Sequence, residues 1–210
     1  MARIAIADDH AIVRKGLRQI MADTPDLVVA GEAANADDLL TLLRSQPFDL
    51  VVLDLSLGDR SGLEVLKHLK SEFPKVRVLV LSMHHESVFG ARVLQAGASG
   101  YIQKESAPDE LVRAVRRILA GAIYVSEAMS QQLAAEMAHG GKARLPHEHL
   151  SDREFEICIL LGSGKSVTDI ARQLNLSVKT VSTHRTRILR KTGFSTNEDI
   201  VRYVTAHHLT

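Results

Sequence analysis

Residues 51–57 read VVLDLSL. Apolar side chains on both alternating faces of this run predict a β-strand that is buried on both sides, as in a parallel sheet. Asp54 lies in the middle of the run, and burying an unpaired carboxylate costs roughly several kcal/mol. Either the strand brings Asp54 to a polar site where it leaves the sheet, or the run is not a strand.

Short apolar runs alternate with segments of helical period on both sides of this stretch. The connections are too short for a separate antiparallel layer. The pattern predicts an α/β fold, a doubly wound five-stranded parallel sheet with helices on both faces. The predicted strands cover residues 4–8, 28–33, 49–55, 76–82 and 100–104, and the predicted helices cover residues 10–21, 36–45, 62–72, 86–96 and about 106–120.

Polar side chains end four of these strands. In a doubly wound sheet the carboxyl ends of the strands lie at one edge, where ligands bind. The side chains should therefore converge there, which accounts for the carboxylate in VVLDLSL. They are Asp8 and Asp9 on the first strand, Asp54 on the third, Ser82 on the fourth and Lys104 on the fifth.

These residue types suit phosphoryl transfer. Neighbouring carboxylates repel unless a divalent cation neutralises them, and oxygen ligands suit Mg²⁺ or Mn²⁺. Asp54 would attack phosphorus and form an aspartyl phosphate. Asp9 would be the main metal ligand, and Asp8 would either bind the ion through a water molecule or hold the direct ligands in place. Lys104 would pair with the phosphate, and the Ser82 hydroxyl would bind a phosphoryl oxygen. One Asp at a strand end is more often a helix cap, but the full set favours a site.

The pattern changes after Ala120. Residues 126–138 could form an exposed helix, and residues 139–149, HGGKARLPHEH, have the composition of a linker. The chain should therefore have two domains. The predicted limits are 1–122 for the first domain, 123–147 for a linker that includes a helix, and 148–210 for the second domain.

Charge is unevenly distributed along the chain. Residues 150–210 hold nine Lys and Arg against six Asp and Glu, whereas residues 1–125 hold fifteen against sixteen. Only the second domain is thus expected to meet a polyanion. The single cysteine, the short apolar runs and two aspartates where a signal peptide would stay apolar predict a cytoplasmic protein that does not contact membranes.

Residues 150–210 show four short helical segments and no strand pattern. They predict a second, smaller all-α domain with four helices. A serine able to cap the helix N-terminus precedes each segment. These caps are Ser151 with Glu154, Ser166 with Asp169, Ser177, and Ser195 with Glu198.

The second and third of these helices have the pattern of a helix-turn-helix. Asn175 falls at the turn between them, where a positive φ is often needed and Asn is the best choice after glycine. The third helix would then enter the major groove of DNA. The expected apolar faces are Ile170, Ala171 and Leu174 on one helix, and Val178, Val181 and Ile188 on the next.

The third helix, at residues 178–191, has five basic residues and no acidic one. Lys and Arg contact phosphates whatever the sequence, while Ser, Thr and Arg can reach base edges. A basic helix is usually only a solvated face, but the preceding helix and turn favour DNA binding. The candidate contacts are Lys179, Thr180, Ser182, Thr183, Arg185, Thr186, Arg187 and Lys191.

The motifs of the first domain resemble the receiver domain of bacterial two-component response regulators, which has a flavodoxin-like fold. The similarity spans about residues 1–122. It rests on DDH (8–10), Asp54, Ser82, AGASGYIQK (96–104) and SAPDEL (106–111).

This resemblance implies that a cognate histidine kinase phosphorylates Asp54 with Mg²⁺ bound, and that the backbone carbonyl of Ser56 is a further metal ligand. It also implies a switch in which Ser82 moves to the phosphate and Tyr101 turns inward. The face at about residues 86–110 would then change its partners. Tyr101 could also be a half-buried strand residue that only packs, and that role is compatible with the switch.

Three positions depart from the usual receiver pattern. Leu57-Gly58 replaces a Met-Pro pair, so the following loop is expected to be looser. Glu105 stands where many receivers have a cis-proline, and Met83 stands where many have a very small residue. Met83 is expected to restrict access to Asp54.

The second domain resembles the DNA-binding domain of the LuxR/NarL type over about residues 148–208, most clearly in LSDREFEICILLGSGKSVTDIARQLNLSVKTVSTHRTRILRKTG (150–193). The resemblance implies base contacts from Ser182, Thr183 and Thr186, where relatives often carry lysine, so the target sequence does not carry over. Backbone contacts are implied for Lys179, Thr180 and Arg187.

The last predicted helix, at about 197–206, forms a dimer contact in that family. Four apolar side chains are available for such a contact, although packing within the domain would use some of them equally well. They are Ile200, Val201, Val204 and Leu209.

Together these features indicate a NarL/FixJ-class transcriptional regulator rather than an enzyme. Phosphorylation of Asp54 would promote a homodimer that binds double-stranded promoter DNA. An aspartyl-phosphate phosphatase would need an acid two residues after its nucleophile, where this chain has Ser56. A DNA-binding regulator that uses its receiver only to dimerise, independently of phosphorylation, stays open.

Overall fold

The computed structural model describes residues 1–57, 60–138 and 145–209. It divides into two compact units, Met1–Leu133 and Ala134–Thr210. The finer limits predicted from the sequence, with a linker at 123–147, stay a prediction.

The first unit is built on a five-stranded parallel sheet with the strand order β2-β1-β3-β4-β5. The predicted alternation of strands and helices is confirmed. The strand order reverses between β1 and β3, so the switch point lies at their carboxyl ends. The elements are β1 Ala2–Ala7, α1 Ala11–Ala22, β2 Leu27–Ala33, α2 Ala36–Ser45, β3 Leu50–Asp54, α3 Gly62–Glu72, β4 Arg77–Ser82, α4 Glu86–Gln95, β5 Gly100–Gln103 and α5 Ala107–Leu119.

Burial on both faces explains the composition of β3, which is buried along its whole length. Leu50 and Val52 belong to the apolar cluster formed with α1 and α5. Val51 and Leu53 point to the opposite face, since side chains alternate along a strand, and both are fully buried. Asp54 is the last residue of the strand, as the sequence predicts.

The second unit contains four helices after the 3₁₀ turn Pro146–His149: α7 Asp152–Gly162, α8 Val167–Gln173, α9 Val178–Thr192 and α10 Asn197–Ala206. The predicted caps at Ser151, Ser166 and Ser177 are confirmed. The predicted cap at Ser195 is wrong by one residue. Thr196 caps α10, because its Oγ1 accepts from the N–H of Asp199 at 3.2 Å and its own N–H donates to that carboxylate at 2.9 Å.

The helix-turn-helix forms as predicted at α8 and α9. Asn175 has a φ of 51° in the turn between them. The predicted apolar faces are buried except at Val178, which is 49% exposed. Each residue turns the helix by about 100°, so Val178 lies about 60° around the helix from the buried Val181. This places Val178 at the margin of the apolar face. On α10, Val201 is 38% exposed, whereas Ile200 and Val204 are buried, and so is Leu209 after the end of the helix.

A further helix, α6, spans Glu127–Ala138 and confirms the helix predicted at 126–138. Most of the predicted linker at 139–149 lies outside the described residues, and so do Gly58 and Asp59 of the loop after β3. Among the residues the structure describes, no helix is long and apolar enough to cross a membrane.

Candidate phosphoacceptor site and nucleic-acid interface

The carboxyl ends of β1 and β3 bring two buried carboxylates to one ammonium group. Asp8 is 1% exposed and Asp54 is 2% exposed. Lys104 follows β5, and its Nζ donates to the Oδ2 of Asp8 and to the Oδ2 of Asp54, each at 2.7 Å. Two buried carboxylates beside one ammonium leave net negative charge, so the pocket attracts a further cation.

Asp9 and His10 lie at the mouth of this pocket. His10 Nδ1 is 2.6 Å from the Oδ1 of Asp9 and 3.4 Å from the Oδ1 of Asp8. One potential ligand atom from each of Asp8, Asp9, His10 and Asp54 lies within 4.8 Å of the others, so the cluster could hold a metal ion. The sequence pattern did not predict His10 at this site. Its only signal was the position directly after the two aspartates.

Ser56 contributes to this site through its backbone. Its N–H donates to the Oδ1 of Asp54 at 3.1 Å, which fixes the carboxylate while the other oxygen faces Lys104. A metal contact from the Ser56 carbonyl stays a prediction. Met83, expected to restrict access to Asp54, is 65% exposed.

Burial and the neighbouring charges shift the pKa values of Asp54 and Lys104, which face each other. Burial raises the pKa of Asp54 above its usual value, and attraction to Lys104 only partly offsets this. Burial alone would lower the pKa of Lys104, but Asp54 and Asp8 outweigh it and the net shift of that pKa is upward. The lysine therefore stays protonated beside the two carboxylates.

Ser82 and Tyr101 meet at the backbone of His84. The Oγ of Ser82, which is fully buried, accepts from the His84 N–H at 3.1 Å. The Tyr101 hydroxyl donates to the His84 carbonyl at 2.7 Å. Tyr101 is 2% exposed rather than half-buried, and burial raises its pKa. The predicted switch pair is thus joined through one residue of the β4–α4 turn.

The second unit exposes one face of α9. Lys179, Ser182, Thr183, Thr186 and Arg187 are exposed, and Thr180 is partly exposed. The Thr183 and Thr186 hydroxyls donate to carbonyls one turn earlier, at 2.9 and 3.1 Å. Their oxygens can still accept from a base or a water molecule. This face has the chemistry predicted for a DNA contact.

Two of the predicted DNA contacts have partners inside the unit. Arg185 Nε donates to the Oδ1 of Asn197 at 2.6 Å. Lys191 Nζ donates at 2.6 Å to the Oε2 of Glu154, which is only 3% exposed. These two cations therefore join α9 to the rest of the unit, in addition to any role at DNA.

Lys191→Ala should destabilise the second unit by about 1 kcal/mol at neutral pH, because it removes the charged partner of Glu154. The expected effect is no larger because water already weakens this ion pair. Burial pushes the pKa of Glu154 upward, but hydrogen bonds from Lys191 and Ser151 lower it below its usual 4.5. A lowered folded-state pKa stabilises the fold above the unfolded value, and that stabilisation disappears as pH falls through the folded value.

Urea unfolding at pH 7 and below pH 4.5 measures this effect. The difference between parent and Lys191→Ala should be largest at pH 7 and shrink in acid. Arg202→Ala, which removes an exposed cation from α10, is the matched control. Equal urea midpoints of parent and Lys191→Ala at pH 7 would contradict the assignment.

Comparisons with known proteins agree with both parts of this geometry. The family model described as "Response regulator receiver domain" matches residues 4–116, and the one described as "Bacterial regulatory proteins, luxR family" matches residues 148–204. The chain is 34% identical over 209 residues to the response regulator UvrY of Escherichia coli, covering 100% of this chain and 96% of that protein.

It is also 33% identical over 207 residues to the response regulator GacA of Pseudomonas aeruginosa, covering 99% of this chain and 97% of that protein. A solved structure of RcsB from Salmonella enterica serovar Typhimurium, bound to promoter rprA in the presence of phosphomimetic BeF3−, is similar in fold. The two chains are 28% identical, the match covers 97% of this chain and 98% of the RcsB chain, and the TM-score is 0.66.

Proposed function

Because the chain belongs to the DNA-binding response regulators of two-component systems, we propose that a phosphoryl group on Asp54 controls its binding to promoter DNA. One observation carries the proposal: the Lys104 ammonium lies 2.7 Å from the buried carboxylates of both Asp8 and Asp54. Such a pocket has a carboxylate nucleophile and a fixed cation, and its net negative charge favours a bound metal ion.

The reaction is transfer of a phosphoryl group from a phosphohistidine of a histidine kinase. An Oδ of Asp54 attacks phosphorus, the bond between phosphorus and the imidazole nitrogen breaks, and the imidazole leaves with the electron pair. Lys104 then pairs with the phosphoryl oxygens in place of the carboxylate, and Ser82 donates to another oxygen.

The donor set fits a hard divalent ion, because three of the four clustered side chains offer carboxylate oxygens. Asp9, Asp54 and Asp8 would hold Mg²⁺, together with the backbone carbonyl of Ser56. When bound, the ion would neutralise charge on the phosphoryl oxygens.

The second unit supplies the DNA contact. We propose that α9 enters the major groove with Ser182, Thr183 and Thr186 toward the bases. Lys179, Thr180 and Arg187 would contact phosphates, with Arg185 in the middle and Lys191 near the end of the same helix. A homodimer would place two copies of α9 on a two-fold promoter site. Phosphorylation would act by shifting the population of the dimerising state.

Phosphorylation by acetyl phosphate with Mg²⁺, compared with the same reaction under chelation, tests the proposal. Intact mass should show one phosphoryl group only when Mg²⁺ is present, and the phosphorylated chain should elute earlier from a sizing column as a dimer. Phosphorylation that is equally fast under chelation would exclude the metal. A folded chain that takes no phosphate would favour the phosphorylation-independent regulator instead.

A further inference from the structure

Arg14 is a largely buried cation of α1 that bonds to the backbone beside the acidic pocket. Its side chain is 17% exposed. Its Nη1 donates to the carbonyl oxygen of Asp8 at 2.6 Å. That carbonyl belongs to the peptide group between Asp8 and Asp9. Arg14 therefore holds the peptide group that links two of the carboxylates proposed to bind Mg²⁺.

Other bonds fix the remaining groups of Asp8. Its N–H donates to the Ala33 carbonyl at 3.2 Å, and its Oδ1 accepts from the His10 N–H at 2.8 Å. Asp8 follows the last residue of β1, so its carbonyl lies beyond the hydrogen-bond ladder of the strand. A buried carbonyl outside a ladder needs a donor from a side chain or from water, and Arg14 is that donor.

Glu32, on β2, holds the same guanidinium group. Arg14 Nε lies 3.4 Å from the Oε2 of Glu32, and Arg18 contacts the Oε1 of the same carboxylate. The two arginines are four residues apart and so lie on one face of α1. Glu32 is 22% exposed, and two cations compensate its partly buried charge. The contacts thus run from β2 through α1 to the end of β1.

An irregular pairing of β1 with β2 directs Glu32 towards α1. Ile4 pairs with Val29. Two residues later, Ile6 pairs with Glu32, which is three residues after Val29. Ile4 and Ile6 both face the apolar cluster formed with α1 and α5. Because side chains alternate along a strand, Glu32 would point to the opposite face of the sheet without this shift of one residue.

We infer that Arg14, held in place by Glu32, is a positioning residue of the proposed metal site. It keeps the peptide group between Asp8 and Asp9 in the orientation that turns both carboxylates to one ion. This role rests on the proposed function, in which those carboxylates bind Mg²⁺. Side chains that hold metal ligands in place commonly account for about ten- to a hundredfold of the metal affinity.

Charge and geometry act in opposite directions at this position. The pocket is negative, so removing a neighbouring cation strengthens its attraction for Mg²⁺, whereas freeing the Asp8 carbonyl weakens the placement of the ligands. Arg14→Lys separates the two effects, because lysine keeps the charge but lacks the planar fork that reaches Asp8 and Glu32 together. Arg18→Lys is the matched control, since Arg18 contacts the same Glu32 from the next turn of α1.

Binding of Mn²⁺ to the full chain, followed by loss of the electron paramagnetic resonance signal of the free ion, tests the role of Arg14. Arg14→Lys should bind Mn²⁺ about tenfold more weakly than the parent, and Arg18→Lys should bind it like the parent. In phosphorylation by acetyl phosphate, the Mg²⁺ concentration at half-maximal rate should rise by the same factor in Arg14→Lys. Saturating Mg²⁺ should recover the rate, whereas a damaged fold would lower the rate at every Mg²⁺ concentration.

Glu32→Ala tests the same peptide group through a second residue. It removes the partner that holds Arg14 and should also weaken Mn²⁺ binding. Combined with Arg14→Lys, it should weaken binding by less than the product of the two single effects, because both act on one peptide group. Effects that multiply fully would show that the two residues act independently and would overturn the inference.

Two further outcomes separate this role from the proposed function. Equal Mn²⁺ affinity of Arg14→Lys and the parent, or an equal loss of affinity in Arg18→Lys, would overturn the inference and leave the proposed function standing. If the parent binds Mn²⁺ no more tightly than Asp54→Asn does, the pocket is not a metal site. The proposed metal-dependent phosphorylation then fails, and the role of Arg14 fails with it.

Discussion

Asp54→Asn should abolish phosphorylation of the chain by acetyl phosphate. Asparagine has nearly the same shape as aspartate, so the end of β3 should keep its structure, and its single amide oxygen can still accept from either Lys104 or the Ser56 N–H. The amide lacks the carboxylate charge and does not form an acyl phosphate. Intact mass should show one added phosphoryl group on the parent and none on the variant.

The same strand offers a matched control. Asp49 precedes β3 at its other end, is exposed, and accepts from the Arg3 N–H at 2.7 Å. Asp49→Asn should be phosphorylated like the parent. A phosphoryl group on Asp54→Asn would show that another carboxylate accepts it, Asp8 and Asp9 being the nearest, and would contradict the assignment of Asp54.

The second large effect is expected at α9, the helix proposed to contact DNA. Replacing Lys179 and Arg187 together by alanine should weaken binding to every DNA sequence, because both are exposed cations on α9 and phosphate contacts are not sequence-specific. Each lost phosphate contact lowers the salt slope of log K by about 0.9. The slope should therefore fall by about 1.8 if one protomer binds and by about 3.6 if the proposed dimer binds.

Fluorescence anisotropy on one duplex at several salt concentrations measures this slope. The control replaces Arg44 and Arg116, two exposed arginines of the first unit that pair with Glu72 and Asp26. This control changes the net charge equally but should leave the slope unchanged. An unchanged slope in the Lys179 and Arg187 variant would show that α9 does not contact the DNA backbone.

The sequence predicted the sheet and the acidic pocket at its edge because both follow from the alternation of short strands and helices. A strand buried on both faces cannot hold Asp54 unless it ends at a site, and the carboxyl ends of parallel strands must share an edge. Lys104 could be placed beside Asp54 on this argument alone, although 50 residues separate them.

Other features could not be read from pattern. Ser195 and Thr196 are both good caps, and only the fold decides which is placed to bond the third residue of the helix. His10 joins the acidic cluster through the direction of its side chain, which no spacing predicts. The bridge between Gly100 and Tyr124 depends on the backbone N–H groups of Tyr101 and Tyr124, which every residue type except proline carries, so composition suggested only a linker there.

The proposed control of DNA binding by a phosphoryl group on Asp54 is tested most directly by the affinity for DNA with and without phosphorylation. Promoter-like sites are first selected from random duplexes by the phosphorylated full chain. The parent should bind the selected duplex about tenfold more tightly after phosphorylation, which is a typical coupling between two sites. Asp54→Asn should bind with the affinity of the unphosphorylated parent under both conditions. Equal affinity of the phosphorylated and unphosphorylated parent would contradict the claim and leave the receiver with a role independent of phosphate.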